Sequence, residues 1–118
     1  MLVMSHIQIP AIDNEHLASS SKPIIDGWLR KELGYKGIVM TDRIDVGALQ
    51  SNQKIGDYAV ASILAGSDLI FVDADTIHID EVHRALAQAV ADGTITTERL
   101  NESVKRILLM KMQTQMDP

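Results

Sequence analysis

The sequence predicts an α/β layer fold built on short parallel strands. Apolar runs recur at Leu2–Met4, Gly37–Thr41 and Leu69–Val72, and each runs into polar residues: Ser5-His6, Thr41-Asp42 and Asp73. The runs barely alternate between apolar and polar, which suits strands covered on both faces. Stretches with helical apolar spacing separate them, and strand–helix alternation of this kind gives a parallel sheet with right-handed crossovers.

Each element has a local reason. Leu2-Val3-Met4 is apolar almost from the first residue and reads as a strand, and Pro10 to Ser21 is a polar loop. Pro23 sits near the start of a helix, where its missing N–H costs little. Ile24, Ile25, Trp28, Leu29 and Leu33 follow at helical spacing, and Gly34 suits the position just past the end. After the second strand, Ile55 to Ala65 is a helix of small residues closed by Gly66. Leu69–Val72 is the third strand. Val82, Leu86, Ala89 and Val90 mark the next helix, which stops at Asp92-Gly93. Thr96 or Thr97 caps a last helix, with Glu98 in the first turn, where the helix dipole favours an acid. Its apolar stripe is Leu100, Val104, Ile107, Leu108 and Met112. Lys105, Arg106 and Lys111 lie toward the end that favours cations, and Gln113 to Pro118 is expected to be a frayed tail. The order is β-α-β-α-β-α-α.

Bulk properties exclude several function classes. The chain has 118 residues, enough for one small domain, and a net charge of −5. There is no basic stripe, so no nucleic-acid partner is expected. No apolar run approaches the roughly 20 residues that span a bilayer, so no membrane partner is expected either. The chain has no cysteine, which removes disulfides and thiol catalysis and leaves the compartment undetermined. No charged region precedes Leu2-Val3-Met4, so a signal peptide is not expected and the cytoplasm is slightly favoured.

Chemistry in parallel α/β sheets collects at the C-terminal ends of the strands. Asp42 stands there on a rigid element and can act as nucleophile, base or metal ligand. Two structural alternatives stand beside this: Asp42 caps a short helical turn around Val46 to Leu49, or pairs with Arg43. Asp73, Asp75 and Asp80 have the carboxylate density of a hard-cation site, but no EF-hand spacing, and helix capping by Asp75 or Asp80 fits better. His78 and His83 lack the i, i+4 spacing of a zinc helix and read as surface residues. No metal and no cofactor are expected.

The stretches VMSHIQIPAID, SSKPIIDGWLRKELGYKGIVMTDRIDVGAL, AVASILAGSDLIFV and TTERLNESVKRILLMK resemble glycoside hydrolase family 3. The resemblance runs in order along nearly the whole chain and is strongest to the branch containing the bacterial β-N-acetylglucosaminidases. It implies a (β/α)₈ barrel, with residues 1–118 forming a single incomplete domain: the last three βα units and a C-terminal helix. It also implies a retaining hydrolase of terminal β-linked sugars that works through a covalent glycosyl-enzyme. N-acetylglucosamine is the leading sugar and a β-glucoside the alternative. The family nucleophile directly follows the Ser or Thr closing the seventh strand, which is Asp42 here. His6, at the end of the sixth strand, becomes a candidate for binding substrate in the first sugar subsite; the other reading is a loop histidine bonded to backbone. Asp45 and Arg43 are expected to order the loop after Asp42. Trp28 is expected in the core, not stacked on a sugar.

Two departures from the family pattern matter: substituted positions near Asp42 and the absence of an upstream part. Many relatives carry a second acid where Arg43 stands and a methionine where Val46 stands. Family barrels run to roughly 250 residues, so the resemblance covers only their last part. In the acetylglucosaminidase branch a His-Asp pair near an upstream Lys-His-Phe-Pro-Gly-His-Gly motif acts as general acid/base, and residues 1–118 contain nothing similar. The expected partners are therefore a carbohydrate substrate and either the N-terminal half of the barrel or further copies of this chain. A homo-oligomer, joined through edge strands or by exchange of the helix from Thr97 to Met112, is expected if the chain is ordered alone. A reading from a different class is a non-catalytic remnant that serves as an assembly module.

Overall fold

In a computed structural model, residues 1–116 are described. The chain forms strand β1 (Leu2–Met4), a 3₁₀ turn (Ala18–Ser20), a wide helix (Pro23–Glu32) and strand β2 (Val39–Thr41). Helices α1 (Ile44–Gln50), α2 (Ile55–Ala65), α3 (Thr76–Ala91) and α4 (Thr97–Met116) follow. β1 and β2 pair in parallel, with Leu2 opposite Val39, Val3 opposite Met40 and Met4 opposite Thr41. The wide helix makes the crossover between them, and its Ile25 and Leu29 pack with Val39 and Ala65.

The third expected strand is reduced to a single parallel bridge between Met40 and Leu69. The backbone of Leu69 still follows β2: its N–H donates to Val39 O at 3.2 Å and its carbonyl accepts from Thr41 N–H at 3.1 Å. One residue pair later the ladder is replaced. Phe71 N–H donates to the side-chain Oγ1 of Thr41 at 3.1 Å, and Phe71 O accepts from Ile44 N–H at 2.9 Å. The chain after Thr41 turns into α1 at this point, so the backbone groups that would extend the pairing serve the turn instead.

Two further expectations need correction. The crossover helix is π-type over its length, and Leu33 N–H reaches back five residues to Trp28 O at 2.9 Å. A wider turn advances each residue by a smaller angle. Ile24, Ile25 and Leu29 share the buried face, while Trp28 moves to its rim and is 40 % exposed. Trp28 is therefore not the core residue that α-helical spacing predicts. The last helix continues past Met112 to Met116, so Gln113–Met116 is helical; Asp117 and Pro118 of the expected tail lie outside the described residues. The expected helix ends elsewhere hold: Gly34 takes φ +72°, Asp75 caps α3 through Ile77 N–H at 2.9 Å, and Thr96 Oγ1 caps α4 through Arg99 N–H at 3.1 Å.

What joins these elements is a buried carboxylate. Asp68, in the turn after α2, has a fully buried side chain. Its Oδ2 accepts from Arg30 of the wide helix at 2.7 Å and from Val39 N–H of β2 at 3.0 Å. Its Oδ1 accepts from Ser103 at 2.7 Å and Arg106 at 2.8 Å, both on α4. Arg99 completes the group by donating to Ile63 O, Ser67 O and Ser103 Oγ. Burial pushes the Arg99 guanidinium down, against the opposing pull of Asp68 and Glu102. Gly66 makes the turn possible: at φ +125° a side chain is strained, and a Cβ there would meet Ile25 Cγ2 at 2.8 Å.

Helix α4 thus docks through its polar side. Its apolar stripe stays open, with Leu100, Val104, Leu108 and Met112 between 38 % and 58 % exposed. With α3 and the Leu69–Val72 run, this stripe walls a groove of about 370 Å³.

Asp68→Asn removes the charge while keeping the shape, and leaves the buried Arg30 uncompensated. It should cost about 3–5 kcal/mol, the range for breaking a buried ion pair. Urea unfolding of the two proteins measures this; an unchanged midpoint would show that the arginines find other partners.

Candidate active site

The three strand-end segments meet at one face. β2 delivers Asp42, which is exposed there. Its backbone is held against β1, with Asp42 N–H donating to Met4 O at 3.0 Å. Its carboxylate is oriented by the next residue, as Oδ1 accepts from Arg43 N–H at 2.8 Å. Thr41 is fully buried. Its hydroxyl locks the neighbouring Phe71 segment against the strand end, which explains why an apolar strand closes on threonine before the acid.

Arg43 and Asp45 pair within the first turn of α1. Arg43 Nε donates to Oδ1 at 3.2 Å and Nη2 to Oδ2 at 2.8 Å. Hydrogen bonding to Asp45 raises the Arg43 guanidinium further, helped by the charges of Asp73 and Asp42. Asp45 is lowered on balance: partial burial pushes it up, and the hydrogen bonds and charge of Arg43 outweigh that. Arg43 is thus turned onto Asp45, while its backbone N–H serves Asp42. Val46 lies exposed on α1.

His6 follows β1. Its Nε2 donates to the backbone carbonyl of Arg43 at 2.6 Å, and its Nδ1 lies 2.6 Å from Ser19 Oγ. Both ring nitrogens therefore have partners within the chain. Ser19 Oγ is in turn 2.6 Å from the hydroxyl of Tyr58 on α2. Ser19 and Tyr58 are fully buried. Neither stands out by motif. The only signal in the sequence is a lone tyrosine in a helix of small residues, IGDYAVASILAG.

Beyond the third run, Asp73 Oδ1 pairs with His78 Nδ1 at 2.9 Å. Asp73, Asp75 and His78 each bring one potential ligand atom within 4.8 Å of the others. Asp75 Oδ1 is already used as the cap of α3, and His78 is engaged by Asp73. Asp80 is exposed on α3, and His83 lines the apolar groove. The hydrogen bond that His78 donates to Asp73 raises His78, partly opposed by desolvation and supported by the charges of Asp73, Asp75 and Asp45. The mouth thus gathers the acids Asp42, Asp45, Asp73 and Asp75 around Arg43 and His78.

Residues 1–110 match the profile of the Glycosyl hydrolase family 3 N terminal domain. The chain belongs to glycoside hydrolase family 3. It is 28 % identical over 128 residues to a beta-hexosaminidase A of Pseudoalteromonas piscicida, covering 94 % of this chain and 21 % of that one. It is 29 % identical over 120 residues to a beta-N-acetylglucosaminidase/beta-glucosidase of Cellulomonas fimi, covering 93 % and 21 %. Its fold superposes on a family 3 beta-N-acetylglucosaminidase from Paenibacillus sp. str. FPU-7 with a TM-score of 0.91 and 35 % identity, covering 98 % of this chain and 22 % of that one. The chain spans about a fifth to a third of the length of the curated relatives it matches first. The mostly helical structure with a small parallel sheet is that of part of an α/β family 3 domain.

His78 should titrate above the ordinary histidine value of about 6.5, and Asp73→Asn should bring it back down. A folded value above the unfolded one means that the pair stabilises the fold below about pH 6.5 and that this contribution is lost as pH rises through the raised value. An NMR titration of the His78 ring reads this directly; identical curves for the two proteins would show that the ion pair is absent in solution.

Proposed function

We propose that this chain is the nucleophile-bearing portion of a retaining β-glycosidase barrel, with Asp42 as the nucleophile. One observation carries the reading. Asp42 is the exposed carboxylate at the end of a buried strand, with its backbone N–H on Met4 O and its Oδ1 on Arg43 N–H. Among the described residues its Oδ2 has no hydrogen-bond partner. In the proposed step a lone pair on that oxygen forms a bond to the anomeric carbon as the bond to the leaving oxygen breaks, and a proton donor neutralises the leaving oxygen. Water then cleaves the glycosyl ester. The resemblance puts the proton donor on an upstream loop of the barrel, outside residues 1–118. Terminal β-N-acetylglucosaminides are the leading substrates and β-glucosides the alternative, because the relatives carry both activities in their names.

Arg43 and Asp45 order the turn that presents Asp42. The partner is the remainder of a family barrel. Among the described residues, the outer edge of β1 and the far side of the Leu69–Val72 run have no strand partner, and the apolar groove beside α4 is open. The 0.91 superposition covers 98 % of this chain but only 22 % of a longer one. Exposed strand edges and apolar patches recruit chain to cover them, and strand–helix units of the same barrel have the matching shape.

In a completed barrel, an activated 2-fluoro or 5-fluoro glycoside should label Asp42. Asp42→Asn should lower turnover by several orders of magnitude, since the glycosyl ester can no longer form. Peptide mass mapping locates the label, and finding it on Asp45 or Asp73 would rule Asp42 out.

The 118-residue chain by itself should not hydrolyse aryl β-N-acetylglucosaminide or aryl β-glucoside, because a general acid worth roughly 10²–10⁴-fold is supplied elsewhere. It should also bind a polarity-sensitive dye until the rest of the barrel is added. Light scattering and dye titration follow the assembly. A stable complex of identical copies that no longer binds dye would replace the barrel partner with a second copy of this chain.

A further inference from the structure

We infer that His6 is a positioning residue for Asp42, its Nε2–H fixed by the Arg43 carbonyl and its Nδ1 held by the buried Ser19–Tyr58 pair. The inference rests on the reading of Asp42 as nucleophile but stands on separate geometry. The carbonyl of Arg43 can only accept, so the His6 Nε2, 2.6 Å away, carries the hydrogen. In the neutral ring Nδ1 is then an acceptor and takes the hydroxyl hydrogen of Ser19. Ser19 Oγ accepts in turn from Tyr58 O–H. The direction of the relay is set by the carbonyl, which can only accept: Tyr58 to Ser19 to His6 to Arg43 O.

The far end of the relay clamps one peptide unit. The Arg43 carbonyl is held by His6, and the N–H of the same unit, on Ile44, donates to Phe71 O at 2.9 Å. Fixing this unit fixes the residue before it, whose N–H holds the Asp42 carboxylate. The packing around the relay is tight. The rings of His6 and Tyr58 meet edge to face with centroids 5.9 Å apart. Gly47 of α1 leaves them the room, since a Cβ there would lie 2.6 Å from atoms of both rings. A histidine used on both ring nitrogens is poorly placed to bind a sugar hydroxyl. It is well placed to stop the Asp42 turn from drifting, and a misplacement of about 1 Å at a reacting group costs about 10²-fold in rate.

The test compares His6→Gln and His6→Asn in the full chain. Gln places an amide N–H where Nε2–H was; Asn ends too early to reach Arg43 O but still offers Ser19 a partner. Amide exchange by NMR should be at least tenfold faster at Arg43 and Ile44 in His6→Asn, with the α2 and α3 amides unchanged, and should return in His6→Gln. Long-range ¹H–¹⁵N spectra of the unsubstituted chain should show the Nε2–H tautomer. Ser19→Ala should mix in the other tautomer, which keeps the inference testable if His6→Asn does not fold. In a completed barrel, His6→Asn should lower kcat about 10²-fold with KM within twofold, and His6→Gln should restore it. An Nδ1–H tautomer, unchanged exchange at Ile44 in His6→Asn, or a rise in KM at constant kcat would overturn the inference. Labelling of a residue other than Asp42 would overturn the nucleophile assignment alone, since exchange and tautomer report His6's hold on the turn regardless of the chemistry.

Discussion

Four hydrogen bonds converge on the carboxylate of Asp68, and they tie together segments far apart in sequence: Arg30 from the wide helix, Val39 from β2, and Ser103 and Arg106 from α4. Isolated buried charge is costly, and the site is sustained only because each carboxylate oxygen is matched by a charged or buried donor. The consequence is geometric. The turn after α2 is fixed against the start of β2, so the Leu69 run lies beside that strand and its far end arrives at Thr41 and Ile44. The mouth at one end of the sheet inherits its order from a charge cluster at the other.

At the mouth, stabilising contacts and proposed chemistry are divided among neighbouring residues. Thr41 holds the Phe71 segment, Arg43 holds Asp42 with its backbone and Asp45 with its side chain, and His6 and Phe71 grip the peptide unit behind them. Asp42 is left exposed at the centre of this frame. A nucleophile gains from such a frame because the oxygen that must meet the anomeric carbon is held in place before the substrate arrives. The Arg43 side chain is accommodated by being folded onto Asp45.

The open surfaces follow from how α4 is anchored. Its polar side is engaged with the Asp68 cluster, so its apolar stripe has no choice but to face outward beside α3. Among the described residues, the outer edge of β1 and the far side of the third run are unpaired as well.

The sequence by itself determined the parts whose physics is local. Strand–helix alternation, the positive-φ glycine after the wide helix, the Asp75 and Thr96 caps, and the acid at the end of β2 all follow from residues within a turn or two of one another. The resemblance carried by LRKELGYKGIVMTD and ERLNESVKRIL supplied the family. Only the tertiary structure decided the rest, because it depends on partners distant in sequence. Asp68 looks like an ordinary loop acid until Arg30 and Arg106 arrive from either side. Leu69–Val72 has the composition of a strand but yields its ladder to Thr41 and Ile44. Trp28 leaves the core through a change of helix pitch that apolar spacing does not encode. Ser19 and Tyr58, thirty-nine residues apart, become a relay only when α2 packs under the loop that carries His6.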